Sequence, residues 1–90
     1  MKKAIITVVG KDTVGIIAKV TNYLAEQNIN VLEISQTIVA GYFNMMMVVD
    51  IEKMQCSAVD CANILDKIGN EIGMKILFQR AEIFEAMHRI

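Results

Sequence analysis

The residues best equipped for chemistry are Gly10-Lys11-Asp12-Thr13-Val14-Gly15, a polar, glycine-bracketed stretch between an apolar run and a segment of helical periodicity. A turn that opens a helix exposes backbone N–H groups with no intrahelical acceptor, and the local dipole favours an anion beside them. Such a turn can hold a carboxylate or a phosphate. It is too short for a phosphate-binding P-loop and lacks the lysine-serine/threonine ending. The plainer alternative is that the glycines supply unusual backbone angles, Asp12 or Thr13 caps the helix, and nothing binds.

The rest of the chain offers no catalyst. His88, the single histidine, sits near the C-terminus beside Arg89, where a cation simply suits a helix end. Cys56 and Cys61 are five apart, a spacing that fits neither a C-x-x-C redox motif nor a zinc knuckle. Cys61 falls on an apolar stripe and reads as a buried, inert thiol; Cys56 has no activating neighbour in sequence. Met45, Met46 and Met47 alternate between the two faces of a strand, so they cannot converge on a soft metal ion and read as packing residues. Asp60, Asp66, Glu82 and Glu85 read as solvated helix faces. We therefore expect no catalytic residue, no metal and no cofactor.

Composition narrows the function further. Ninety residues without a low-complexity or Pro/Ser-rich stretch predict one domain spanning 1–90. A chain this short buries only roughly 60 to 70% of its unfolded surface, so its 54% hydrophobic content favours pairing with a second copy. Nine basic against ten acidic residues give a net charge of -1, which argues against direct contact with nucleic acid. The longest apolar run, Met45 to Val49, falls far short of the roughly 20 residues that cross a bilayer. Met1-Lys2-Lys3 begins like a signal peptide but no small-residue cleavage site follows, so the expected location is the cytoplasm.

The elements that would position the turn follow from periodicity. Lys3 to Val9 is rich in β-branched residues and reads as a central strand. From Val14 the period becomes helical, with Val14, Ile17, Val20, Thr21 and Leu24 on one side and Lys19, Asn22 and Glu26 opposite, ending near Gln27-Asn28. Ile29 to Val39 alternates in part. Val31, Glu33, Ser35 and Thr37 share one face, Leu32, Ile34 and Ile38 the other, and one of the two should be buried. Ala40-Gly41 reverses the chain into Tyr42 to Ile51, completing a hairpin. After the polar segment Glu52 to Gln55, Ser57 with Asp60 makes a capping-box-like start to a second helix carrying Ala58, Cys61, Leu65, Ile68 and Ile72. Gly69 should weaken that helix by about 1 kcal/mol and Gly73 should end it. Met74 to Gln79 is a last strand, and Arg80 to Ile90 could form a short C-terminal helix.

The order β-α-β-β-α-β with right-handed crossovers gives an α+β, ferredoxin-like fold, a four-stranded antiparallel sheet with two helices on one face. The other face lacks cover, which predicts a second subunit or a bound helix there. A second polar spot, Asn28-Ile29-Asn30, opens the second strand at the end of the sheet opposite the glycine turn. The two could meet across a subunit boundary.

Gly-Lys-Asp-Thr-Val-Gly-Ile-Ile-Ala, then Val20, Leu24 and Gln-Asn-Ile-Asn-Val, resembles the opening half of an ACT domain, and the element order resembles that family throughout. The chain is most similar to short, free-standing bacterial ACT proteins, akin to the ACT modules of glycine-cleavage transcriptional repressors. The resemblance implies a non-catalytic regulatory module that senses a small-molecule ligand, an amino acid, at a homodimer interface and signals to a regulated enzyme or regulator. The alternative is a protein–protein interaction module with no ligand. By position it implies a site built from Asp12, Thr13, Val14, Gly15 and Asn30, with Asp12 and Asn30 as polar contacts and Gly15 allowing close approach. Two departures stand out: Val14 replaces a frequent proline, losing a pre-set φ angle, and Gly10 offers no side chain where some amino-acid sensors have a polar one.

Overall fold

The structure is a computed structural model that describes residues 2–11 and 14–82. Its elements are β1 (Lys3–Lys11), α1 (Ile16–Glu26), β2 (Asn30–Val39), β3 (Tyr42–Asp50), α2 (Ala58–Ile72) and β4 (Met74–Arg80). They form one antiparallel sheet in the order β2-β3-β1-β4, the ferredoxin-like arrangement, with β1 central as its continuous apolar sequence predicts. Ala4, Ile6 and Val8 of β1 point to the same side as Phe43, Met45, Met47 and Val49 of β3 and Met74 and Ile76 of β4. The helices close over that side with Ile16, Val20, Tyr23 and Leu24 of α1 and Cys61 and Leu65 of α2. Each of the larger fully buried side chains, such as Ile6, Leu24 and Leu65, contributes about 1.5–3 kcal/mol by leaving water.

Several boundaries and faces differ from the sequence reading. β1 runs two residues further, so Gly10 and Lys11 belong to the strand, paired with Phe43 and Tyr42. Gly10 is there because a Cβ would lie 2.6 Å from Met74 Sδ and 3.0 Å from the Gly73 carbonyl oxygen. α1 begins at Ile16 rather than Val14, and its buried stripe differs from the expected one: Ile16 and Tyr23 face the core, whereas Ile17 is 40% exposed and Val14 fully so. At the other end Asn28 takes a left-handed φ of 59°, as its position after the helix predicts.

β2 departs most. A register shift between Val31 and Glu33 makes a bulge at Leu32, so Val31 pairs with Val49 on the helix side and no longer shares a face with Glu33. Beyond Val31, which packs partly against the core, neither face of this edge strand is buried, and Ile34 and Ile38 stand 49% and 58% exposed. The Ala40-Gly41 turn carries positive φ at both residues, 53° and 81°, the pattern of a type I′ hairpin.

Gly69, read as a weak point, is required. A Cβ at Gly69 would sit 2.5 Å from the Met74 carbonyl oxygen, so α2 and β4 could not approach with any other residue there. Gly73 ends α2 in the left-handed conformation, φ 73°, as expected. β4 extends through Arg80, and Ala81 and Glu82 are helical; the rest of the expected C-terminal helix and His88 lie outside the described residues. The face of the sheet away from the helices carries Val9, Tyr42, Met46 and Leu77, all substantially exposed. Of the three consecutive methionines only Met46 is on that face; Met45 and Met47 are fully buried beneath the helices.

Candidate functional site

Among the described residues, little covers the start of α1. Its N-cap is Gly15, at φ 89° and ψ 2°, not Asp12 or Thr13, which lie outside the described residues. Glycine enters this left-handed region without the steric cost other residues carry. It also provides no side-chain cap. The first helical hydrogen bond runs from the Lys19 N–H to the Gly15 carbonyl at 3.0 Å, so the amides of Ile16, Ile17 and Ala18 have no acceptor within the helix. The first turn holds no acidic residue, and among the described residues a Cβ built on Gly15 meets nothing within 4 Å. Such N–H groups at the positive end of a helix dipole suit a small anion.

Asn30 is far from this turn within one chain. It pairs with Asp50 at one end of β3, whereas Lys11, the last strand residue before the turn, pairs with Tyr42 at the other end. Eight residue steps at about 3.3 Å separate the two by roughly 26 Å. The structure thus brings Val14 and Gly15 together and leaves Asn30 apart. Two open depressions of about 220 Å³ on the described surface lie elsewhere. One is between α2 and β4, lined by Ala58, Val59, Ala62, Phe78, Gln79 and Arg80, and the other is over Ser35, Thr37, Asn44 and Met46.

A second group of reactive side chains comes together under the helices. The Tyr23 hydroxyl from α1 lies 3.7 Å from the Cys56 thiol, which precedes α2, and Cys61 lies on the buried face of α2 in the same core. Burial, followed by the neighbouring Cys56 thiol, pushes the Cys61 thiol up from its ordinary 9.0 to about 12. Burial and the contact with Cys56 likewise raise the Tyr23 phenol above its ordinary range. The sequence reading missed this cluster, although the five-residue spacing that suits no zinc site does suit a contact across a helix start. Among the described residues no set of three or more His, Cys, Asp or Glu side chains could hold a metal ion, and no helix is long and apolar enough to cross a membrane.

Comparison with known proteins now bears on this geometry. The ACT domain family model matches residues 2–79. The chain is 57% identical over 90 residues to a UPF0237 protein of Bifidobacterium longum, covering 100% of both chains. Its fold is similar to an ACT domain protein from Streptococcus pneumoniae, with a TM-score of 0.81 at 43% identity, covering 93% of this chain and 94% of that one. A protein assigned as a glycine cleavage system transcriptional repressor shares the fold alone, with a TM-score of 0.72 at 17% identity over 89% of this chain and 46% of that one. With the family model spanning nearly its whole length and the same fold recurring in an ACT protein of its own size, the chain belongs to the ACT domain family.

Proposed function

We propose that residues 1–90 form a single non-catalytic regulatory module that binds a small amino acid at a homodimer interface and passes its occupancy to a partner protein. The observation that carries this reading is the bare, solvent-open N-terminus of α1 at Gly15, which suits a carboxylate. In this reading the amides after Gly15 take the ligand's carboxylate, Asp12 with Thr13 and Val14 borders its ammonium group, and Asn30 binds either end. The separation of Asn30 from the turn favours a site completed by two chains. Edge strand β2, exposed on both faces with Ile34 and Ile38 uncovered, supports that pairing. Antiparallel pairing of two such strands about a two-fold axis would direct the partner subunit's Asn30 toward Val39, the strand end that leads through Tyr42 and Lys11 to the turn.

Thermal melting and calorimetric titration with each of the twenty amino acids test the reading, with sedimentation measured in parallel. At about a hundred times its dissociation constant a true ligand stabilises by about 2.7 kcal/mol. The absence of heat or a melting shift with all twenty would remove the sensor function. One observation favours a second reading, a ligand-free interaction module: the exposed apolar side chains of the open sheet face, Val9, Met46 and Leu77 among them, fit a protein partner. Binding of a regulator or enzyme that is insensitive to every amino acid, and lost on Met46→Glu, would favour that alternative.

A further inference from the structure

Cys56 and Cys61 flank the first turn of α2 in a defined relation. Ser57 is the N-cap, so Cys56 occupies the position just before the cap and Cys61 the fourth helical position. Side chains at these two positions often pack together across a helix start, usually as an apolar pair. Here both members are thiols. Cys61 is fully buried, Cys56 is half-buried at the protein surface, and the Tyr23 hydroxyl lies against Cys56 at 3.7 Å. No disulfide joins the two cysteines.

We propose that Cys56 and Cys61 are an oxidative modification site, a dithiol that closes to an intramolecular disulfide by exchange with a small-molecule disulfide of the glutathione class. In the first step the Cys56 thiolate attacks one sulfur of the small disulfide. That sulfur–sulfur bond breaks, and the leaving thiolate takes a proton from water. In the second step Cys61, having released its proton to solvent, attacks the Cys56 sulfur of the mixed disulfide, and the second small thiolate leaves and is protonated. The protein dithiol is oxidised by two electrons and one small disulfide is reduced to two thiols. Attack at Cys56 comes first because it is the exposed member of the pair, and the second step is slow because Cys61 holds its proton tightly.

The site has a route to the rest of the molecule. The Gln55 N–H donates to the Gln27 carbonyl at 3.0 Å and the Asn28 side-chain amide donates to the Lys53 carbonyl at 3.4 Å, tying the segment before α2 to the end of α1. Disulfide closure pulls Cys56 away from Tyr23 and toward α2, on the same segment that holds the α1 exit leading to Asn30.

The experiment is incubation of the full chain with oxidised glutathione at neutral pH, followed by intact mass and peptide mapping under non-reducing conditions. The expected product is monomeric in covalent mass, lighter by two hydrogens, without retained glutathione, and carries a Cys56–Cys61 linked peptide. Cys61→Ser should stop at a single glutathione adduct on Cys56, and Cys56→Ser should react only after unfolding. Tyrosine fluorescence of the wild type should change on oxidation and recover with reductant, a readout independent of whether either variant folds. A wild type that keeps one glutathione, links two chains through Cys56, or stays fully reduced would overturn the proposal.

Discussion

The two helices of this small domain begin in opposite ways. α2 starts as a closed helix end: the Ser57 hydroxyl accepts from the Asp60 N–H at 3.1 Å, Asp60 places a carboxylate in the first turn, and Cys56 and Cys61 hold the positions before and after the cap that an apolar pair often fills. α1 starts with none of these. Its cap is a glycine, its first turn holds no acid, and Val14, in the position that Cys56 takes at α2, is fully exposed and touches nothing comparable. Both helices carry similar apolar stripes on the same sheet, so packing does not require the difference. A helix start that satisfies itself is structural, whereas one left open at a left-handed glycine is available to something outside the chain.

The largest expected effect probes the closed end. Cys61 and Tyr23 beside it are held neutral by burial, so both release their protons more readily in the unfolded chain. Their contribution is complete below about pH 9, where Cys61 ionises when unfolded, and is lost as the pH rises toward 12. Each such group removes at most about 1.4 kcal/mol per pH unit in that window. Chemical denaturation at about pH 8, 9.5 and 10.5 should show this fall, and Cys61→Ala should flatten it; an unchanged slope would separate the cluster from stability. Gly69→Ala, which drives a Cβ toward the Met74 carbonyl, should cost about 1–3 kcal/mol in urea denaturation. A neutral result would mean that α2 can shift and is not fixed as its closed start suggests.

The smaller effects compare the two caps directly. Gly15→Ala meets no steric obstacle and suffers only from its left-handed φ, so it should destabilise by about 1–2 kcal/mol while abolishing ligand response. Ser57→Ala should cost about 1 kcal/mol through the lost cap and leave ligand response intact. If the two variants lost ligand response equally, the contrast between the helix starts would carry no functional meaning.

Much of this fold is legible in the sequence because each element carries its own local signal. The β-branched run of β1, the Ala40-Gly41 reversal, Ser57 with Asp60, and Gly73 each act within a few residues of themselves and appear where the sequence puts them. What escapes depends on neighbours distant in sequence. The bulge at Leu32 is a matter of register against β3, and the exposure of β2 follows from strand order, which its own alternation does not encode. Gly69 looks like a helix weakness until Met74 is placed against it. The candidate site divides the same way: the glycine turn is visible as sequence, but whether Gly15 caps α1 depends on a backbone angle. The separation of that turn from Asn30 is already implied by the β-α-β order, and the strand pairing gives it a length. The Tyr23–Cys56–Cys61 cluster needs α1 and α2 on one side of the sheet before its spacing acquires meaning.

In the proposed function the open start of α1 receives an amino-acid carboxylate and the closed start of α2 does not. Amide proton–nitrogen NMR spectra recorded during titration with each amino acid test it most directly. We expect at least one amino acid to shift the amide resonances of Gly15, Ile16, Ile17 and Ala18 saturably, with those of Ser57, Ala58, Val59 and Asp60 unmoved. Saturable shifts confined to the start of α2, or none at either helix start with any amino acid, would contradict it.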